Sequence, residues 1–90
     1  MFKKGWILRG TIYSDEGFSV GITDRTHLVY REGPKKMTVA GELLMNGFVF
    51  YLATIGPWDD ATPIDENKKD QIADRIKRAL ASQGMAVDAE

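Results

Sequence analysis

The chain has 90 residues, enough for one small hydrophobic core but not for two, so we expect a single domain over residues 1–90. Hydrophobic residues make up 43% and charged residues 28%, which excludes a disordered chain, and the absence of cysteine excludes disulfides, cysteine-ligated zinc and a thiol nucleophile. The net charge of −1 does not favour binding to the backbone of a nucleic acid.

The N-terminal segment begins with two lysines and contains no long apolar stretch. Its apolar run stops at Arg9, too early for a signal peptide, and no segment of the chain reaches the ~18 apolar residues of a membrane span. We interpret this segment as the lead into a first strand. The sequence therefore predicts a cytoplasmic protein with no membrane segment.

Apolar and polar residues alternate over four segments, and this pattern predicts four strands at residues 6–13, 18–23, 26–32 and 36–44. Residues typical of turns separate them, namely Gly17, the pair Asp24 and Arg25, and the pair Gly33 and Pro34. Because every link is short, neighbouring strands should be antiparallel and follow chain order as a meander.

Residues 47–55 carry hardly a polar side chain, which predicts a fifth strand that is buried on both faces in the middle of the sheet. Asn46 and Gly47 precede it and predict a type I′ hairpin turn. The two prolines of residues 56–64 then predict a loop.

A helix is predicted from Asp65, as its N-cap, to about Gln83, because Ile72, Ile76 and Leu80 form a single apolar stripe. Gly84 should end it, and residues 85–90 are either a frayed tail or a short edge strand. The expected fold class is α+β, an antiparallel meander of about five strands with one C-terminal helix packed on one face.

The sequence contains no pattern typical of catalysis or cofactor binding. His27 is the only histidine, and neither a metal-binding spacing nor a phosphate-binding glycine loop occurs. We therefore expect no catalytic residue, no cofactor and no metal. An enzyme that uses His27 with a nearby carboxylate such as Glu42 is kept as an alternative.

One helix covers only one face of a sheet, so the opposite face is a candidate partner surface unless N-terminal residues or a homodimer cover it. The side chains expected there are Tyr13, His27, Val29, Arg31, Val49 and Tyr51. A nucleic-acid binding domain that uses these aromatics and the basic side of the helix is a second alternative. That basic side comprises Lys68, Lys69, Arg75, Lys77 and Arg78.

Trp58 and the acidic residues that follow it form another candidate. The tryptophan is either a plug at the end of the core or an exposed anchor beside Asp59 and Asp60. These aspartates lie close in sequence to Asp65 and Glu66, which makes a short acidic segment suited to a basic surface such as the substrate groove of a nuclease.

The order of several short motifs is similar to that of small bacterial immunity proteins of polymorphic toxin systems. These motifs lie at residues 20–23, 28–33, 39–43 and 55–59 and are followed by a terminal helix containing Ile72. The resemblance implies a cytoplasmic protein without catalysis that binds and blocks a cognate toxin. Its recurring positions correspond to Tyr30, Glu32, Glu42, Trp58 and Asp59. The predicted partner-binding residues are Tyr30, Glu42, Tyr51, Trp58, Asp59 and Asp60.

Overall fold

The computed structural model describes residues 2–4 and 11–90. Over these ranges the strands are β1 (Phe2–Lys4), β2 (Thr11–Ser14), β3 (Phe18–Asp24), β4 (His27–Glu32), β5 (Lys35–Leu44), β6 (Gly47–Phe50) and β7 (Ala86–Ala89). A short 3-10 helix (Leu52–Thr54) follows β6, and the helix α1 (Glu66–Ala81) precedes β7. The strands lie side by side in chain order.

All neighbouring strands are antiparallel except β6 and β7, which are parallel. Parallel pairing requires a crossover connection, and here the loop of residues 56–64 and α1 provide it. The α+β prediction is therefore confirmed, with one parallel strand added at the edge. Of the two alternatives for residues 85–90, the edge strand is the one observed.

The core lies between α1 and one face of the sheet. Register pairs align Val20 with Tyr30 and Tyr30 with Met37, so alternate residues of β3, β4 and β5 point to the same side. Ile72, Ile76 and Leu80 of α1 are fully buried against them. Each of these helix side chains contributes roughly 1.5 to 3 kcal/mol through burial, and this holds the helix on this face of the sheet.

Both ends of α1 follow the expected capping chemistry. The Asp65 side chain accepts a hydrogen bond of 2.7 Å from the backbone N–H of Lys68. At the other end Gly84 adopts a φ of 79°, and the N–H of Met85 donates to the carbonyl of Leu80 at 3.3 Å. This is the hydrogen bond of a Schellman motif, so Gly84 ends the helix as predicted.

The strand predicted at residues 47–55 is shorter than expected. Residues 47–50 are buried and form β6, but the chain then turns into the 3-10 helix, and Tyr51 and Leu52 are exposed. Thr54 explains the difference. Its hydroxyl oxygen accepts a hydrogen bond of 3.0 Å from the N–H of Ala40 and donates one of 2.7 Å to the carbonyl of Tyr51. The Thr54 side chain therefore provides the hydrogen-bond acceptor for the backbone N–H of Ala40 on β5 that a longer β6 would otherwise provide.

Two turn predictions also differ from the structure. The loop between β5 and β6 is Met45 and Asn46, and Gly47 lies in β6, so the predicted type I′ turn at Asn46 and Gly47 is wrong. Gly47 is required for a different reason: a Cβ atom there would collide with the carbonyl oxygen of Ala86 on β7. The turn between β3 and β4 lies one residue later than predicted, at Arg25 and Thr26.

The predicted strand at residues 6–13 overlaps β2 at residues 11–13, and its earlier part lies outside the described residues. The structure adds β1, whose register places Phe2 opposite Ser14. This three-residue strand was not predicted from the sequence.

Candidate interaction surface

The face of the sheet opposite α1 carries the predicted partner-surface side chains. Tyr13 and Arg31 are exposed, His27 and Val29 are half-buried, and Val49 is buried at 8% exposure. Tyr51 is 37% exposed. Phe50 points into the core, so Tyr51, the next residue, points to the face opposite α1, as Val49 does. Within the described ranges α1 is the only α-helix, and it covers the other face.

Exposed apolar side chains concentrate at the two ends of β6. Of the five large hydrophobic residues that are exposed in the described part of the chain, Leu44 and Met45 precede β6 and Tyr51 and Leu52 follow it. Met45 lies in the turn and is fully exposed, at 104%. Its side chain therefore makes little contribution to the stability of the fold, and the exposed apolar side chains at both ends of β6 make this face a candidate partner surface.

Acidic side chains lie between these two apolar ends of β6. The register pairs Glu42 of β5 with Val49 of β6, and Val49 with Asp88 of β7, so the three residues form one row across three strands. Both acidic residues are exposed. We call the surface formed by Glu42, Leu44, Met45, Tyr51 and Asp88 the hairpin face.

A polar network joins β4 to α1 beside the core. The Tyr30 hydroxyl donates to Glu32 Oε1 at 2.7 Å, and Arg75 donates to the same oxygen at 2.9 Å. Lys68 donates to both carboxylate oxygens of Glu32, at 2.8 and 2.6 Å. The network therefore ties the end of β4 to both the first turn and the middle of the helix.

This network sets the charge states of its members. Burial raises the pKa of Glu32, but hydrogen bonds from Lys68 and Tyr30 together with the charges of Lys68 and Arg75 hold it below its ordinary value. Burial, with the hydrogen bond to Glu32, raises the pKa of Tyr30. Glu32 is therefore ionised and Tyr30 neutral at physiological pH.

Tyr30 and Trp58 belong to an aromatic stack in the core. The Tyr30 ring lies 5.8 Å from that of Phe18 and 6.0 Å from that of Trp58, and Arg75 lies over Phe18 at 4.8 Å. Tyr30 is 0% exposed and Trp58 6%. Of the two alternatives for Trp58, the core plug is the one observed. Neither residue presents a surface for direct contact with a partner.

Asp59 and Asp60 lie on the loop beside the start of β5. The N–H of Asp59 donates to the carbonyl of Lys36 at 2.8 Å, and Lys35 pairs with Asp60 at 2.7 Å. The hydrogen bond from Lys35, with those from Thr62, lowers the pKa of Asp60. The negative charge of Asp60 is therefore balanced by Lys35, whereas Asp59 is exposed and forms no ion pair with another described residue.

His27 is held by its own turn. Its Nδ1 lies 3.1 Å from Asp24 Oδ1 and 2.9 Å from Thr26 Oγ1, whereas Glu42 is not among its hydrogen-bond partners in the described residues. The N–H of Thr26 lowers the pKa of Asp24 by donating to its carboxylate. No group of three or more potential metal ligands occurs in residues 2–4 and 11–90. The geometry gives no support to catalysis at this histidine.

The basic side of α1 is largely engaged with carboxylates. Lys68 and Arg75 pair with Glu32, and Arg78 pairs with Asp74 and Glu16. Nothing in this arrangement favours the nucleic-acid alternative. In the described part of the chain, no helix is both long and apolar enough to cross a membrane.

The family model described as Immunity protein 74 matches residues 20–90, from β3 through β7. The chain belongs to the immunity protein 74 family. The resemblance found in the sequence is therefore confirmed, and the matched region includes the hairpin face. Searches of curated proteins and of solved structures gave no match.

In this immunity protein 74 family member, the predicted contact residues fall into separate groups. Glu42 and Tyr51 lie on the hairpin face, and Asp59 and Asp60 lie on the loop beside β5, whereas Tyr30 and Trp58 are in the core. Sequence reasoning missed three residues of the hairpin face, which are Leu44, Met45 and Asp88. An apolar residue next to a predicted hairpin turn was the available signal for Met45.

Proposed function

We propose that this chain neutralises a cognate bacterial toxin in the cytoplasm by binding it directly, without catalysis, through the hairpin face. Membership of the immunity protein 74 family supports a toxin as the partner. The observation that carries the surface assignment is the exposure of large apolar side chains at both ends of β6. Interfaces gain most of their binding free energy from a few such anchors.

The predicted contact residues that are exposed fit one extended surface. Asp59 is hydrogen-bonded to Lys36, Tyr51 to Ala40, and Val49 lies opposite Glu42, so these contacts follow one edge of β5. The six residue-to-residue steps of β5 from 36 to 42 span about 20 Å. This length suits a standard interface, which buries about 800 Å² per partner, and we propose that Glu42, Tyr51 and Asp59 all contact the toxin.

The strand between the two anchors is buried and paired on both sides, which favours inhibition by occlusion. Strand β6 is paired on one side with β5 and on the other with β7. Met45 and Tyr51 lie just beyond its two ends, so their backbone is held near its bound position and less conformational entropy is lost on binding. The toxin would then be blocked sterically by a preformed surface.

Co-purification with the toxin encoded beside this chain tests the proposal. Tyr51→Ala combined with Met45→Ser should weaken binding by roughly 30-fold or more, because two anchors are lost. Tyr13→Ala is the matched control, since it removes an exposed tyrosine at 48% exposure from β2 and should change binding by less than about twofold. Asp59→Ala should give a smaller loss.

Two results would contradict this assignment. Binding that survives loss of both anchors but is abolished by Tyr13→Ala would place the interface elsewhere on the sheet. A homodimer in solution that dissociates on Tyr51→Ala and Met45→Ser, with toxin binding unchanged, would show that the face pairs with a second copy of the chain instead.

A further inference from the structure

The hairpin face carries two exposed carboxylates, Glu42 and Asp88, that form no ion pair with another described residue. Asp88 Oδ1 accepts a hydrogen bond of 2.9 Å from the backbone N–H of Ala89, which leaves its negative charge uncompensated. Glu42 and Asp88 lie two strands apart in one row, which places their Cα atoms about 10 Å from each other. Their charges repel at this range, so the arrangement does not stabilise the isolated fold.

Exposed apolar side chains lie next to these carboxylates. Leu44 follows Glu42 on the same side of β5, and Tyr51 follows Val49 on the same side of β6. A complementary partner must therefore offer apolar or aromatic contact area for Met45 and Tyr51, with lysine or arginine side chains around it.

Grooves that bind nucleic acids present this combination. They hold lysine and arginine side chains along the path of the phosphates, and aromatic side chains on which the bases stack. The carboxylates of the hairpin face are complementary to the lysine and arginine side chains of such a groove, and Met45 and Tyr51 are complementary to its aromatic side chains.

We propose that the hairpin face occupies the cationic, nucleic-acid binding groove of the toxin, with Glu42 and Asp88 opposite its basic side chains and Met45 and Tyr51 on its stacking platform. This inference rests on the proposed function and adds the chemistry of the partner. The toxin is then one that acts on nucleic acid, and inhibition is competitive with that substrate.

Arg25, a positively charged residue close to the hairpin face, tests whether the partner surface is cationic. The N–H of Leu43 donates to the carbonyl of Arg25 at 2.7 Å, which places Arg25 next to Glu42 along the edge of β5. Arg25 forms no ion pair with a described residue. Its positive charge opposes a cationic partner, so Arg25→Ala should tighten binding by about twofold to threefold.

The decisive measurement is the affinity for the purified toxin domain encoded beside this chain, followed over a range of salt concentrations. Glu42→Gln with Asp88→Asn should weaken binding by about tenfold and flatten its salt dependence, because two charge pairs are lost. Glu66→Gln with Asp70→Asn is the matched control. It removes the same charge from the exposed surface of α1 and should change the affinity by less than about twofold. A single-stranded oligonucleotide should displace the wild-type chain from the toxin.

The possible outcomes separate this inference from the proposed function. If loss of Tyr51 and Met45 abolishes binding but the Glu42 and Asp88 variant binds like wild type, the face docks on a surface that is not cationic, and the inference is overturned. If the oligonucleotide does not compete, the contact lies outside the groove, which also overturns it. If the wild-type chain does not bind the toxin at all, the proposed function itself fails.

Discussion

Replacing Glu32 by glutamine tests whether the polar network between β4 and α1 stabilises the fold. Glu32 accepts hydrogen bonds from Tyr30, Arg75 and Lys68, and its side chain is 29% exposed. Glutamine keeps one acceptor oxygen but turns an amide N–H₂ group towards positively charged donors. Hydrogen bonds to charged groups contribute roughly 1.5 to 3 kcal/mol, and partial exposure reduces this, so we expect a loss of about 2 kcal/mol.

The loss should be visible in thermal unfolding followed by circular dichroism. For a domain of this size it corresponds to a decrease in Tm of roughly 8 to 16 °C. Glu16→Gln is the control, because it removes an exposed ion pair with Arg78 at 3.5 Å and should cost less than about 0.5 kcal/mol.

The pH dependence of the same pair of proteins gives a second readout. The pKa of Glu32 in the folded state lies below its ordinary value of 4.5, so its contribution is complete above that pH and is lost as the pH falls through the folded-state pKa. Glutamine does not titrate. The difference in the free energy of unfolding between wild type and Glu32→Gln should therefore be largest near neutral pH and shrink below pH 4.5. A difference that is small at neutral pH, or constant with pH, would refute this account of the network.

Three further substitutions, one of them with a matched control, test the packing and backbone of the fold in urea unfolding. Gly41→Ala should cost more than about 3 kcal/mol, because its Cβ would collide with the carbonyl oxygen of Val49, whereas Gly21→Ala, whose Cβ would meet only the side chain of Thr11, should cost much less. Ala61→Gly should stabilise the protein by about 0.5 to 1 kcal/mol, because Ala61 has a φ of 71° that glycine adopts without strain. Ile76→Ala should cost about 2 to 5 kcal/mol through the cavity it leaves in the core, and a smaller effect would show that α1 can move to fill it.

Local patterns in the sequence were sufficient for β3, β4, β5 and α1. The alternation coincides with burial in β4 and β5, and so does the helical stripe in α1, whereas in β3 the polar residue Ser19 is buried together with Phe18 and Val20. Asp65 and Gly84 provide the chemistry of the helix ends. The end of β6 was not predictable in this way, because residues 51–54 contain neither glycine nor proline. Their turn depends on Thr54 bonding to Ala40, which is distant in the chain. The need for glycine at position 47 was not predictable either, because it arises from the close approach of Ala86 on β7, which comes later in the chain.

The candidate surface was predictable only in part. The sequence indicated an open sheet face with Tyr51 and Glu42 on or beside it, but it could not decide whether Trp58 is buried. That depends on the aromatic stack with Tyr30 and Phe18, which forms only in the folded chain. Asp88 could not be included, because its position follows from the parallel pairing of β7 with β6.

That parallel pairing has a consequence for the proposed binding surface during synthesis. Until residues 86–89 leave the ribosome, a nascent chain lacks both the outer neighbour of β6 and the carboxylate of Asp88. On the proposed function, toxin binding would begin only after this strand has docked. A fusion partner that prevents its docking would then yield a protein that retains its helix and most of its core but no longer binds the toxin.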